Sequence, residues 1–274
     1  MIRRILALSS AEFTIALRNR WVLIATLMMA LFSVVLTFAG SAPTGALGVD
    51  HLTVAVASMT TLSVYLVPLL ALLLSFDAVA GEIERGGLAL LLTYPVSRFE
   101  VLLGKMCAHL AVLALAVGIG FGLSGLLTWA VGGSSAASLL SLGNLVWSAI
   151  LLGATFLAVG YAASTLAKSS GAAAGLAIGI WIVFVVIYDL ALLGALVADK
   201  DGVFTSQVFP IALVANPADA FRVFNLANSE SVALATGLGG TGKSISLFAI
   251  LGSMFVWPVA AMALARFLMR RVEP

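Results

Sequence analysis

Stretches of the chain that lack Asp, Glu, Lys and Arg run over 21–49, 51–76, 106–167, 169–188 and 244–265. A helix of about 20 apolar residues crosses the hydrocarbon core of a bilayer, so each run is long enough for a crossing. The run 106–167 must hold two, and Gly132, Gly133, Ser134 and Ser135 mark the turn between them. The pattern predicts an all-α integral membrane protein with six transmembrane helices at roughly 21–40, 52–76, 106–131, 139–167, 171–198 and 244–268. An even number of crossings puts both termini on one side.

Composition agrees with that reading. The 274 residues are 62% hydrophobic and 9% charged, with a mean hydropathy of +1.17, where a soluble domain carries about 25% charged residues. The net charge of +2 gives no footing for nucleic-acid binding, and the single cysteine, Cys107, excludes an internal disulfide. Eleven Lys and Arg residues fall on one flank of the predicted spans, against Lys200, Arg222 and Lys243 on the other. The excess of positive charge on the inner loops of membrane proteins therefore predicts that both termini are cytoplasmic.

The stretch 237–244, GLGGTGKS, has the spacing of a nucleotide-binding P-loop. A working P-loop sits between a strand and a helix of an α/β domain, where backbone N–H groups cradle phosphate. Here it opens a membrane span at the outer mouth, and a flexible connector is the better reading.

In the first twenty residues Ile2, Leu6, Phe13 and Leu17 share one helical stripe, with Ile5 and Ala16 beside it, while Arg3, Arg4 and Glu12 lie off it. The pattern predicts an amphipathic helix along the cytoplasmic interface. Two roles are open to it: a membrane-surface anchor, or a lever touching a cytoplasmic partner.

Residues 77–105, between the second and third spans, carry the densest signals. Glu82, Glu84 and Arg85 precede Gly86 and Gly87, which permit a sharp change of direction. The apolar run from Leu88 through Leu91 to Leu92 is far too short to cross a bilayer. Tyr94 and Pro95 end it, because the residue before proline is pushed out of the helical region. Ser97 and Glu100 then form a capping box, which starts the third helix near Arg98 on the cytoplasmic side. These patterns predict a short helix over roughly 77–93, broken at the glycines and projecting from the membrane.

Glu82-x-Glu84-Arg85-Gly86, Leu90-Leu91-Leu92, Tyr94-Pro95-Val96, Arg98 and Gly104-Lys105 resemble the signature of ABC-2 type permeases, the six-helix membrane subunits of ABC transporters. Within that family the letters are most like the group that serves nitrous oxide reductase maturation, although Gly87 stands where that pattern has threonine. The resemblance implies a bacterial inner-membrane homodimer that binds no cofactor itself. ATP and Mg are expected on a separate cytosolic ATPase, NosF-like in this group, and a NosD-like β-helical subunit on the periplasmic face. It also implies that Leu88 to Leu92 with Tyr94 enter a groove of the ATPase, that Glu82, Glu84 and Arg85 orient them, and that residues 1–20 are a gate helix ahead of the transmembrane domain 21–274.

The segment 199–243 is the one long outer piece. Asn216, Pro217 and Asp219 read as a helix start, since Asn caps, Pro fits the first helical position and Asp favours the positive end of the dipole. Phe209, Phe221 and Phe224 are apolar enough to fold back into the membrane edge. With Arg222, these residues suit either a plain loop or a platform for a periplasmic partner. Asp189 lies in the outer half of the fifth span and is by default a functional candidate, or else a polar residue bonded to Tyr188 or a neighbouring helix. The eight methionines form no Met-x-x-Met ladder, so no metal site is expected even for a copper-linked role. A lipid, glycan or drug exporter of the same family shares the coupling letters. A passive anchor would not need them, and an ion-coupled carrier would need more intramembrane charge than Asp189 supplies.

Overall fold

The computed structural model describes residues 1–18, 20–39, 51–132, 135–226 and 245–272. The stretches 40–50 and 227–244, and with them the P-loop-like sequence, lie outside the described residues, as do Gly133 and Ser134. Every regular element among the described residues is helical. The N-terminal helix α1 is Ile2–Leu17, and α2 is Arg20–Ala39. Then come α3 at His51–Ser75, two five-residue helices α4 at Ala80–Glu84 and α5 at Gly87–Leu91, and α6 at Arg98–Gly132. The long α7 is Ala136–Leu166. The fifth span joins α8 at Ser170–Trp181 to α9 at Tyr188–Ala198 through a π-helical stretch, Ile182–Ile187. Two helices, α10 at Phe209–Ala215 and α11 at Pro217–Leu226, precede α12 at Leu247–Met269.

Five of these helices, α3, α6, α7, α8–α9 and α12, are long and apolar enough to cross a membrane, and α1 with α2, counted together as one bent span, raises the number to six. The axis of α1 is bent by 73° from that of α2, so α1 leaves the direction of the bundle as an interfacial helix must. Its bundle-facing side differs from the predicted stripe. Ile2, Leu6 and Leu17 are exposed, whereas Ile5, Leu8, Ser9, Glu12, Phe13 and Ala16 turn toward α6. Periodicity alone finds an apolar face, but it does not say whether protein or lipid covers that face.

The core lies where α3, α6 and α7 meet, built from Met59, Val67, Leu113, Phe121, Leu145 and Phe156 among others. Both α8–α9 and α12 are peripheral, with most of their surface facing outward.

The outer segment follows the fold-back expected of its phenylalanines, not the plain loop. Rather than covering the helix ends, α10 and α11 turn inward as a hairpin. Trp257 Nε1 donates to the carbonyl of Ala215 at 3.0 Å, and Ser253 Oγ to that of Val214 at 2.5 Å. Trp257 stands ten positions into α12, about 15 Å at 1.5 Å per residue, and the hydrocarbon core is about 30 Å thick. The corner of the hairpin therefore reaches the middle of the bundle.

Candidate functional site

Gly86 splits the projecting segment into two helices by adopting φ 69°, a left-handed conformation open to glycine at little cost. Leu90 and Tyr94 are left pointing out at 66% and 63% exposure. Leu91, Leu92 and Arg98 are half-buried, and Pro95 is exposed. Leu88, expected on the outward surface, instead packs inward at 1% exposure against Val79 and Met269. Five residues are too few for a periodicity to separate the anchoring leucine from the presented one.

Polar contacts from three other elements fix this ledge. Ser164 of α7 accepts hydrogen bonds from the N–H groups of Val79 and Ala80 at 3.1 and 3.0 Å, so a distant hydroxyl serves the orphan donors that open α4. Glu84 does the converse, accepting from Ser170 N at 3.0 Å and Ser170 Oγ at 2.6 Å at the start of α8. Arg98 donates to the carbonyls of Met269 and Val272 at the end of α12, where unpaired carbonyls and the negative end of the dipole favour a cation. Arg85 pairs with Asp77 at 3.0 Å. The Ser97–Glu100 capping box forms as predicted, with Ser97 N donating to Glu100 Oε2 at 2.8 Å and Glu100 N to Ser97 Oγ at 3.2 Å.

Lys105 is the hub. Its Nζ lies 2.9 Å from Glu12 of α1 and 3.1 Å from Glu82 of α4, and the side chain is only 7% exposed. One buried ammonium therefore ties the N-terminal helix to the ledge. His109, one turn further along α6, places Nε2 3.5 Å from Glu12 and Nδ1 2.6 Å from the hydroxyl of fully buried Tyr161 on α7. Burial works against the charged form of Glu12, but its bonds with His109 and Lys105 prevail and hold its carboxyl down at about 2. Gly104 explains its own presence: a Cβ there would lie 2.7 Å from Leu8 Cβ, and its carbonyl accepts from Ser9 Oγ at 2.8 Å. Arg4 lies 4.0 Å from Glu100, while Arg3 is exposed. Between α1, α3, α4 and α6 a cavity of about 720 Å³ remains, walled by Glu12, Arg18, Asp77, Glu82 and Lys105.

The sequence marks Glu12, Glu82, Glu84, Arg85 and Arg98 as candidates, but not the contacts made by Lys105, His109, Tyr161 and Ser164. In the sequence Gly104-Lys105 stands out only as part of a signature. An ionisable side chain just inside a span is the one signal that points to it.

At the opposite end, the expected outer contact surface is corrected. Phe209, Asn216, Phe221 and Phe224 are 9%, 2%, 0% and 7% exposed, and Pro217 is buried, so these side chains face the bundle rather than a partner. Burial of three aromatic rings drives this placement. Asn216 does cap α11, its Oδ1 accepting from Ala218 N at 2.9 Å, and its Nδ2 donates to the carbonyl of Phe184 at 2.7 Å. That carbonyl lies in the π-helical stretch, where the widened ladder leaves acceptors to spare. Asp189 is paired: Arg222 Nη2 lies 2.7 Å from its Oδ2. Tyr188 bonds elsewhere, its hydroxyl donating to the carbonyl of Ala212 at 2.8 Å.

Comparison with known proteins places this architecture. The family described as "ABC-2 family transporter protein" matches residues 6–273. Two relatives called "Probable ABC transporter permease protein NosY", from Pseudomonas aeruginosa and Stutzerimonas stutzeri, are 41% and 39% identical over 264 residues, covering 95% of each chain. A multi-pass helical bundle matched along nearly its whole length leaves one assignment: the chain belongs to the ABC-2 family of transporter permeases.

Proposed function

We propose that this permease transmits the work of a separate cytosolic ATPase, NosF-like in character, across the bacterial inner membrane in support of nitrous oxide reductase maturation. An ABC permease implies an ATPase partner, and on this reading ATP and Mg stay with that subunit. The bundle end that carries α1, α4 and α5 faces the cytoplasm, in keeping with the Lys and Arg asymmetry of the sequence. Two copies of the chain form the membrane unit, and a NosD-like β-helical subunit sits on the outer face.

The observation that carries the reading is an apolar tip on a polar mount. Leu90 and Tyr94 are exposed on a ledge tied to α1 through Glu82 and Lys105, to α8 through Glu84, and to α12 through Arg98 of the adjoining α6. A partner that grips the tip and moves pulls on all of them at once. Likeness in name and sequence to NosY permeases supports the maturation role.

Replacing Leu90 with Asp places a charge in the groove that receives the tip, while its outward position spares the bundle. Co-purified ATPase is expected to fall by more than about tenfold, since an unpaired buried charge costs several kcal/mol, with unchanged membrane insertion. An undiminished complex from that variant would refute coupling through the tip.

A further inference from the structure

The α10–α11 hairpin brings charged side chains into the bundle that coupling does not use. Arg222 meets Asp189 with two nitrogens, Nη1 to Oδ1 at 3.1 Å and Nη2 to Oδ2 at 2.7 Å, the paired geometry that suits guanidinium and carboxylate. The same Nη1 also reaches Asp219 Oδ1 at 2.9 Å. One cation thus faces two acids.

Their surroundings differ. Asp189 is 27% exposed in its side chain and Asp219 only 1%. Asp219 Oδ2 is buried with no hydrogen-bond partner among the described residues. Asp219 and Arg222 are the charged groups of α11, while the fifth span contributes Asp189 and Tyr188, whose hydroxyl is committed to Ala212. On α3, Tyr65 faces Arg222. From α7, Ser148 is bonded to Asn225. Among the described residues α7, α10 and α12 bring no cation into ion-pair distance of Asp219. With both carboxyls ionised, the set would carry one surplus negative charge, resting on a buried oxygen that no donor reaches among the described residues. Leaving such a charge unpaired costs several kcal/mol, and a proton on that oxygen removes the cost.

We propose that Asp219 carries a bound proton on Oδ2, and that Asp189, Arg222 and Asp219 form a single-proton site inside the bundle. The ligand is the proton itself. When it leaves, Asp219 becomes a carboxylate and the proton passes to water. The site stands apart from the coupling ledge and does not depend on the proposed ATPase.

Infrared spectroscopy of the purified protein in an ester-free detergent tests this through the carbonyl stretch of a protonated carboxyl. At about pH 6, where ordinary carboxyls are ionised, the wild type should show one such band, and it should vanish as the pH is raised toward about 9. Asp219→Asn should lack the band throughout. Asp189→Asn leaves one acid for one guanidinium, so loss of the band should move down by about 1–3 pH units, the range an adjacent arginine commands. This second variant carries the test if the first does not fold. A wild type without the band at about pH 6, a band that survives Asp219→Asn, or one unmoved by Asp189→Asn would overturn the proposal.

Discussion

The two ends of the bundle are assembled by opposite means. At the α1 end, short helices are held by side chains that reach across long stretches of sequence: Lys105 to Glu12 and Glu82, Glu84 to Ser170, and Arg98 to the end of α12. Little apolar area fixes α4 and α5: among the described residues Leu88 clusters with buried Val79 and Met269, and Ala80 with Ala167 and Ala173. At the other end, the α10–α11 hairpin is held by burial of Phe209, Phe221 and Phe224, by a bond from Asn216 to the Phe184 carbonyl of the π-helical turn, and by Trp257 of α12 donating to the hairpin's own Ala215 carbonyl. Directional contacts to a few atoms fix the ledge while leaving its leucine tip presented. Burial of aromatic rings is non-directional and sums over area, so it sets a plug in place.

Removing the hub breaks the comparison most sharply. Lys105→Met leaves the partly buried Glu12 and Glu82 without their shared cation, and loss of one partner from a buried pair costs about 3–5 kcal/mol. Thermal unfolding in detergent should show that loss, with α1 released first, as read by spin labels on α1 and α6. A change within the scatter of wild type would mean that the ammonium is not what joins the two helices.

Asn216→Ala probes the other mode of attachment. It removes the cap of α11 and the bond to Phe184, each of which has an effect of about 1 kcal/mol, while leaving the aromatic burial untouched. The hairpin should stay docked with a loss of about 1–3 kcal/mol in unfolding. Ejection of α11, seen as fast hydrogen exchange over 217–226, would show that hydrogen bonds rather than rings hold it.

The smallest effect is expected from acid. Glu12 is held at about 2 in the folded chain against an ordinary value of 4.5, so the folded state binds the proton less tightly than the unfolded one. Its contribution is complete above about 4.5 and fades as the pH falls from there through about 2. Spin-label distances between α1 and α6 should therefore be constant from about pH 8 to about pH 5 and lengthen only below. Lengthening near neutrality would mean that the ion pair with Lys105 is not the tie.

Much of this was legible in one dimension. Charge-free runs located the spans because lipid excludes ionised side chains. The predicted helix at 52–76 is observed at His51–Ser75, and that at 139–167 at Ala136–Leu166. Local backbone rules found the Ser97–Glu100 box, the break at Gly86 and the Asn216 cap, since each is decided within four residues. The inward turn of Leu88 and the outward turn of Leu90 were hidden, because a helix of five residues does not complete two turns.

By itself the sequence determined that the chain is an all-helical, multi-pass membrane protein and where several of its helices begin, for these follow from transfer of apolar segments out of water and from short-range hydrogen bonding. Only the tertiary structure decided which charges meet. Lys105 lies 93 positions from Glu12, and Arg222 33 positions from Asp189. No local rule couples residues so far apart, and packing of the spans brings them within reach.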